Sequence, residues 1–112
     1  MSESNVLQVL HYQTVDGRRP IEEWLEALRA DKRARAAILV RIDRLERGLI
    51  GDWKAVGGGV SELRVDYGPG YRVYFGRDGM KVVILLCGGY KGTQNRDVRR
   101  ARQYWSDYEK RK

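Results

Sequence analysis

The apolar positions of the chain change their period several times, and each change predicts a different element. In the middle of the sequence, apolar and polar residues alternate, which is the pattern of a half-buried β-strand. Glu62 and Arg64 fall on one side of this alternation, and Leu63 and Val65 fall on the other. The segment therefore predicts a strand with one core face and one charged face.

Two further strands follow at once, each introduced by a turn signal. Gly68-Pro69-Gly70 and Arg77-Asp78-Gly79 suit tight antiparallel turns, because Gly and Asp-Gly accept positive φ values. The strand between them repeats the alternation, with Arg72 and Tyr74 on its polar side. The last strand, Val82–Cys87, is apolar throughout, which predicts burial on both faces.

The rest of the chain predicts one more strand and three helices. Val6–Tyr12 is rich in β-branched and aromatic residues and is predicted as the first strand. Pro20 suits the first position of a helix, Asp31 suits the N-cap of a second helix that runs to about Arg47, and Thr93 suits the cap of the last. The apolar residues at helical spacing are Ile21, Trp24, Leu25 and Leu28, then Ala34, Ile38, Ile42, Leu45 and Leu49, then Val98, Ala101, Trp105 and Tyr108.

The element order is thus β-α-α-β-β-β-α, with Gly57–Gly59 as a flexible entry to the meander. This order predicts an α+β protein with a four-stranded, mainly antiparallel sheet and helices packed on one face. At 112 residues, we expect a single domain, 1–112. Trp24, Trp105 and Tyr108 are interpreted as core residues rather than as base-stacking platforms.

Composition changes the picture in two ways. A single cysteine, Cys87, the lack of a membrane-length apolar stretch and the lack of a signal-peptide pattern favour a cytoplasmic protein without a membrane partner. The formal net charge of +7 points to a polyanionic partner. The excess lies in residues 88–112, which hold eight Lys or Arg and three Asp or Glu. A solubilising face, or a surface for an acidic protein, fits the same distribution.

Few residues remain as candidates for chemistry. One histidine and one cysteine make a metal site or a nucleophile–base triad improbable, and His11 is interpreted as a hydrogen-bonded structural residue. What remains is a cationic cluster of Arg64, Arg72 and Lys91, with Glu62 and Tyr90 beside it. Because Arg64 and Arg72 flank a short hairpin, we expect both to converge on one phosphate. The alternative interpretation is that these residues form surface ion pairs, each of which contributes little to stability.

Such a cluster fits cleavage of RNA without a metal ion or cofactor. The 2′-OH is the nucleophile, the cations stabilise the extra negative charge of the phosphorane, and one group removes the 2′-OH proton.

The segments ELR, GPGYRVYF and ILLCGGYKGTQNRD, followed by A, YW and Y, resemble the RelE/ParE superfamily of toxins. They are most similar to its phage-derived addiction-module killer branch, close to the HigB group. The resemblance implies a RelE-like fold and the toxin of a type II toxin–antitoxin module that cuts mRNA on the ribosome. It also implies a cognate helix-turn-helix antitoxin, with operator DNA bound only through the toxin–antitoxin complex.

Carried over by position, Arg72 matches the superfamily arginine that contacts the scissile phosphate. Arg64 occupies a basic catalytic position, and Lys91 falls near the basic residue after the last strand. Glu62 stands where these enzymes have a lysine, so it is a candidate general base, with Tyr90 or Lys91 as the acid. The candidate RNA-binding residues are Arg96, Arg99, Arg100 and Lys81.

Two other functions stay open. The ParE branch shares the fold and inhibits DNA gyrase by binding, without an active site. A non-toxic binding module of phage origin is the third reading of the same segments.

Overall fold

A computed structural model describes residues 5–112, and in this range the chain forms five strands and three α-helices in an α+β arrangement. In chain order the elements are β1 (Gln8–His11), α1 (Pro20–Ala27), α2 (Lys32–Glu46), β2 (Trp53–Gly57), β3 (Val60–Val65), β4 (Tyr71–Asp78), β5 (Val82–Tyr90) and α3 (Gln94–Arg111). A 3-10 turn at Lys91–Thr93 precedes α3. The first four residues of the predicted domain 1–112 lie outside the described range. None of the helices in this range is long and apolar enough to cross a membrane.

The strands form one sheet in the order β1-β5-β4-β3-β2. β1 runs parallel to β5, and the other neighbours are antiparallel. The predicted α+β class is confirmed, but the predicted number of four strands is wrong. β2 was missed because this short edge strand is mostly exposed and its sequence, WKAVG, has no apolar alternation. Gly57–Gly59, predicted as a flexible entry, instead makes the β2–β3 turn, where all three residues have positive φ.

Helices cover both faces of the sheet, so the prediction that they pack on one face is wrong. On one face α1 and α2 pack against β3–β5 through a cluster that contains Leu63, Val73 and Leu85. On the other face α3 packs through a separate cluster that contains Tyr74 and Leu86. We call these the α1–α2 face and the α3 face. The predicted burial of β5 on both sides is confirmed.

A β-bulge between β4 and β5 adjusts which side chains reach α3. Tyr74 pairs with Cys87 and Phe75 pairs with Leu85, so Leu86 is an extra residue on β5. Leu86 and Cys87 therefore both join the cluster under α3. Burial raises the pKa of Cys87 to about 12, which keeps the thiol protonated and supports its interpretation as a small buried hydrophobe.

The predicted helix starts are confirmed, but one residue of the helical spacing lies outside its helix. Pro20 is the first residue of α1, and the Asp31 side chain accepts a hydrogen bond from the Ala34 backbone N at 3.1 Å. Leu49 lies beyond the end of α2 at Glu46 and is exposed. The helical period of apolar residues therefore continues past the end of the helix.

Candidate functional site

The site is built from the register of β3 and β4. Arg64 pairs with Arg72, and Glu62 pairs with Tyr74, so the four side chains occupy two adjacent rows of the α3 face. Two arginines directly opposite each other would repel. Glu62 offsets this repulsion, because its Oε1 lies 3.0 Å from Arg72 Nε and its Oε2 lies 3.8 Å from Arg64 Nε. We call Glu62, Arg64 and Arg72 the arginine clamp.

Exposure increases along the clamp. The Glu62 side chain has 0 % of its surface exposed, the Arg72 side chain 13 % and the Arg64 side chain 34 %. The carboxylate is therefore the buried base of the clamp, and Arg64 is its most accessible member. Gln94, at the start of α3, donates from Nε2 to Glu62 Oε1 at 2.7 Å and covers the carboxylate from the helix side.

Glu62 lies beneath α3 and not on an open sheet face. The sequence pattern placed Glu62 on a free sheet face as a candidate general base, but α3 covers that face. A carboxylate with no exposed surface has no contact with a substrate in this conformation. Its geometry suits a positioning role, because it fixes both guanidinium groups from behind.

The phenol of Tyr74 is buried beside the clamp. Its hydroxyl has no hydrogen-bond partner among the described residues. The pKa of Tyr74 lies well above its ordinary value, mainly because the phenol is buried and secondly because the Glu62 carboxylate is near. Tyr74 is therefore a neutral, inward-facing group rather than an accessible acid.

Tyr90 is the last residue of β5, and Lys91 directly follows it. Tyr90 pairs with Tyr71, one position before Arg72 in β4, so its side chain lies on the face opposite the clamp. The structure therefore does not bring Tyr90 to the two arginines. Lys91 begins the 3-10 turn, where its backbone N donates to Gly70 O at 2.9 Å, and it is exposed at the same end of β4 and β5 as Arg72.

Two open polar cavities extend from this end along α3. The first, of about 410 Å³, is lined by Lys91, Arg96 and Arg99, and the second, of about 640 Å³, by Lys54, Arg99 and Arg102. Gln94 and Asn95 line both cavities, so they are continuous. We call Lys54, Lys91, Arg96, Arg99 and Arg102 the cationic strip. Through Gln94 the strip adjoins the arginine clamp.

Two of the four predicted RNA-binding residues fall outside this strip. Arg100 lies on the other flank of α3, where its charge opposes the rise in the pKa values of Cys87 and Tyr104. Lys81 lies in the β4–β5 turn, at the far end of the strands from Arg72. At ~3.3 Å per residue, the six steps from Arg72 to the end of β4 span ~20 Å.

The start of α3 is anchored by a buried aspartate. Asp97 packs over Gly89, where an added Cβ would overlap the carboxylate, and the Thr93 hydroxyl donates to the same group. Thr93 precedes the helix as predicted, but its side chain makes no cap hydrogen bond to the backbone. The hydroxyl donates to Asp97 instead, and the packing of Asp97 on Gly89 ties the first turn of α3 to β5.

His11 and the aromatic residues have the roles that the sequence predicts. His11 Nδ1 lies 2.7 Å from Glu22 Oε2, which confirms a hydrogen-bonded histidine, although the pair is exposed. Trp105 is buried in the core under α3, and Tyr108 packs against the same core. Trp24 packs against the core under α1 and α2. In the described residues, no group of three or more His, Cys, Asp or Glu could hold a metal ion.

Four residues of the site were missed from the sequence: Lys54, Gln94, Asp97 and Arg102. Lys54 pairs with Glu62 across β2 and β3, and it was missed because β2 itself was missed. Gln94 and Asp97 lie within the segment that carries the resemblance, but nothing in the pattern showed that Gln94 would reach Glu62. One signal in the sequence could have indicated such contacts. A charged strand face that an amphipathic helix covers needs partners for its buried charges.

The fold and the site together define a small basic α+β protein with an arginine cluster suited to phosphate. The profile of the family described as "Phage derived protein Gp49-like (DUF891)" matches residues 23–105, which include the whole clamp and strip. The chain therefore belongs to the Gp49-like family. A Haemophilus influenzae protein described as "Uncharacterized protein" is 48 % identical over 81 residues, which cover 72 % of this chain and 81 % of that protein. Membership in this family is consistent, at a coarse level, with the toxin of a toxin–antitoxin module.

Proposed function

We propose that this protein is the toxin of a type II toxin–antitoxin module and cuts mRNA on the ribosome. The observation that carries the proposal is the arginine clamp, in which two paired arginines are fixed by one buried carboxylate. A cognate helix-turn-helix antitoxin would neutralise the toxin, and only the complex of the two would bind operator DNA.

The chemistry assigned to the clamp is charge stabilisation. Arg72 and Arg64 carry two positive charges and Glu62 one negative charge, so the clamp has a net positive charge of one. Attack of the ribose 2′-OH on the adjacent phosphorus gives a pentacoordinate phosphorane with additional negative charge. Guanidinium groups held in advance stabilise that charge without reorganising during the reaction.

Proton transfer requires groups other than Glu62. The nucleophile is the 2′-OH of the substrate itself, so no protein nucleophile is needed. Lys91 is exposed at the end of the site and is the candidate for protonating the 5′-oxygen leaving group. We propose that the ribosome or the RNA supplies the group that accepts the 2′-OH proton.

The cationic strip gives the direction of the RNA. From the clamp, the two cavities lead past Gln94 and Asn95 towards Lys54 and Arg102. Phosphates would follow this path, and each phosphate contact releases condensed counterions. RNA binding should therefore weaken steeply with salt, and the loss of Arg99 should reduce the slope of log K against log salt by about one.

Primer extension on mRNA from cells that express the chain tests the proposal. New 5′ ends that appear as growth stops are the expected result. Growth arrest without new ends, together with accumulation of cleaved plasmid by purified gyrase, would replace the proposal by gyrase inhibition. Harmless expression without an antitoxin would indicate a non-toxic binding module instead.

A further inference from the structure

Every buried side-chain nitrogen or oxygen that lacks a hydrogen-bond partner among the described residues belongs to one cluster. These atoms are Glu62 Oε2, the Nε atoms of Arg64 and Arg72, and the Tyr74 hydroxyl oxygen. Arg72 Nε lies 3.0 Å from Glu62 Oε1, but the two groups are not aligned as a hydrogen bond. A buried polar group without a hydrogen bond is costly, so this cluster in and beside the arginine clamp requires an explanation.

Tyr74 and Glu62 are neighbours in the sheet. They stand directly opposite each other on β4 and β3, and neither residue is exposed. Residues paired in this way have Cβ atoms about 4.5–5.5 Å apart and side chains on the same face. The Glu62 carboxylate also contributes, after burial, to the raised pKa of Tyr74. An unused donor and an unused acceptor therefore lie side by side without access to solvent.

Asp97 is the other buried carboxylate near the Tyr74 hydroxyl, and its charge is the next cause, after burial and Glu62, of the raised pKa of Tyr74. Asp97 Oδ2 already accepts a hydrogen bond from the Thr93 hydroxyl. Glu62 differs, because its Oε1 accepts a hydrogen bond from Gln94 while its Oε2 accepts none from the described residues. Glu62 Oε2 is therefore the acceptor that remains open to Tyr74.

A phosphate bound at the clamp changes the partners of Glu62. The side chains of Arg72 and Arg64 are partly exposed, so both guanidinium groups are within reach of a ligand. A guanidinium donates paired N–H groups to phosphate oxygens, and a bound phosphate therefore competes with Glu62 for Arg72. A buried carboxylate that loses its cation is strongly destabilised unless other donors replace it. Gln94 already supplies one donor, and the Tyr74 hydroxyl is the second.

We propose that Tyr74 is a positioning residue whose hydroxyl donates to the Glu62 carboxylate when Arg72 binds a phosphate. Glu62 Oε2 then accepts from Tyr74, while Oε1 keeps its hydrogen bond from Gln94. Arg72 is released towards the phosphate without leaving a buried negative charge unpartnered. The inference rests on the proposed function, since the RNA supplies the phosphate, but this exchange of partners requires only binding and not cleavage.

Tyr74→Phe removes the hydroxyl, keeps the ring and tests the inference. The probe is inorganic phosphate, titrated into the full-length chain while the NMR signal of Arg72 Nε–H reports its Kd. Tyr74→Phe should raise this Kd at least fivefold. It should not lower the Tm of the phosphate-free protein, because the hydroxyl has no partner there. The matched control is Tyr71→Phe, since Tyr71 is a buried tyrosine of the same strand on the α1–α2 face, and its Kd should stay within twofold of wild type.

Two further measurements separate the exchange of partners from a structural role. Phosphate should move the hydroxyl proton signal of Tyr74 downfield in the wild-type chain, as a new hydrogen bond to a carboxylate does. In a Glu62→Gln background, Tyr74→Phe should change the phosphate Kd by less than twofold, because no buried negative charge then needs a new donor.

The inference is overturned if Tyr74→Phe and Tyr71→Phe bind phosphate equally well, if the Tyr74 hydroxyl signal does not move, or if phosphate does not bind the wild-type chain. A lower Tm of phosphate-free Tyr74→Phe would show a structural role and would overturn it as well. Cleavage of ribosome-bound mRNA tests the proposed function separately. Absence of cleavage with intact, Tyr74-dependent phosphate binding would refute the endoribonuclease and leave the role of Tyr74 standing.

Discussion

The two faces of the sheet are both covered by helices, yet they are stabilised in different ways. Under α1 and α2 the neighbouring strands meet through aliphatic and aromatic side chains such as Leu63 and Val73. Under α3 the next residues in the same strands are Glu62, Arg64 and Arg72, which lie beside a second apolar cluster. Apolar burial stabilises the first face directly, whereas buried ion pairs contribute little net stability and are costly to break. A charged row beneath a helix is therefore consistent with the charge stabilisation that we propose for it.

Glu62 and its neighbour Leu63 allow the most direct comparison of the faces, since both are 0 % exposed. Glu62→Ala leaves two arginines without their carboxylate and should cost about 3–5 kcal/mol of the free energy of unfolding. Leu63→Ala should cost about 2–5 kcal/mol through its cavity. Urea denaturation measures both values.

A double variant separates the two mechanisms. Replacing Glu62 and Arg72 together by leucine removes the two most buried charges of the clamp as a pair, so it should be less destabilising than Glu62→Ala alone. An additive loss in the double variant would show that the clamp is no more than two independent contacts.

Two adjacent glycines in β5 extend the comparison. An added Cβ at Gly88 would overlap the Trp24 ring on the α1–α2 face, and one at Gly89 would overlap the Asp97 carboxylate on the α3 face. Gly88→Ala should cost about 1–3 kcal/mol of stability without altering cleavage by the folded protein. Gly89→Ala should also reduce cleavage, because it displaces the start of α3. Equal effects of both variants on cleavage would remove the distinction between the faces.

Gln94→Leu tests the contact between α3 and the clamp. The lost hydrogen bond to a charged acceptor should cost about 1.5–3 kcal/mol. The rate of cleavage should fall, because Glu62 then orients Arg72 less well. Gln94→Glu should lower the rate further, since it brings a second negative charge to Glu62. Asn95→Leu is the matched control, because Asn95 lines the same cavities and is exposed. The positioning role is refuted if Gln94→Leu and Asn95→Leu have the same small effect.

The smallest effect is expected at the far end of α3, where the charges are exposed. The Tyr12 hydroxyl and then the Arg111 guanidinium hold the pKa of Asp107 below its ordinary value. A lowered folded-state pKa stabilises the protein above the unfolded pKa of about 4, and this stability is lost as the pH falls through the folded value. Asp107→Asn should therefore flatten the acid side of a plot of Tm against pH, and should lower Tm slightly at neutral pH. An unchanged acid slope would contradict the assignment.

Sequence alone predicted the parts of the fold that depend on strong periodicity. The α+β class, the starts of α1 and α2, and the buried β5 follow from local pattern and capping chemistry. β2 carries no such pattern, and nothing local indicates whether α3 packs on the same face as α1 and α2. The clamp was predicted only in part, since alternation placed Glu62, Arg64 and Arg72 on one face. The burial of Glu62 by α3 could not be predicted locally, because the contact between Gln94 and Glu62 joins residues 32 positions apart in the sequence.

We propose that the α3 face carries an RNA-cleaving site organised by the arginine clamp. Its most direct test is the rate at which ribosome-bound mRNA is cut by wild type, by Arg72→Ala and by Arg77→Ala. Arg77 is the matched control, because it lies in the same strand but is exposed. It pairs with Val83, which belongs to the core under α1 and α2. The account predicts a loss of at least a hundredfold for Arg72→Ala, in line with the removal of one charge-stabilising group, and a rate near wild type for Arg77→Ala. Cleavage by folded Arg72→Ala at the wild-type rate would contradict it.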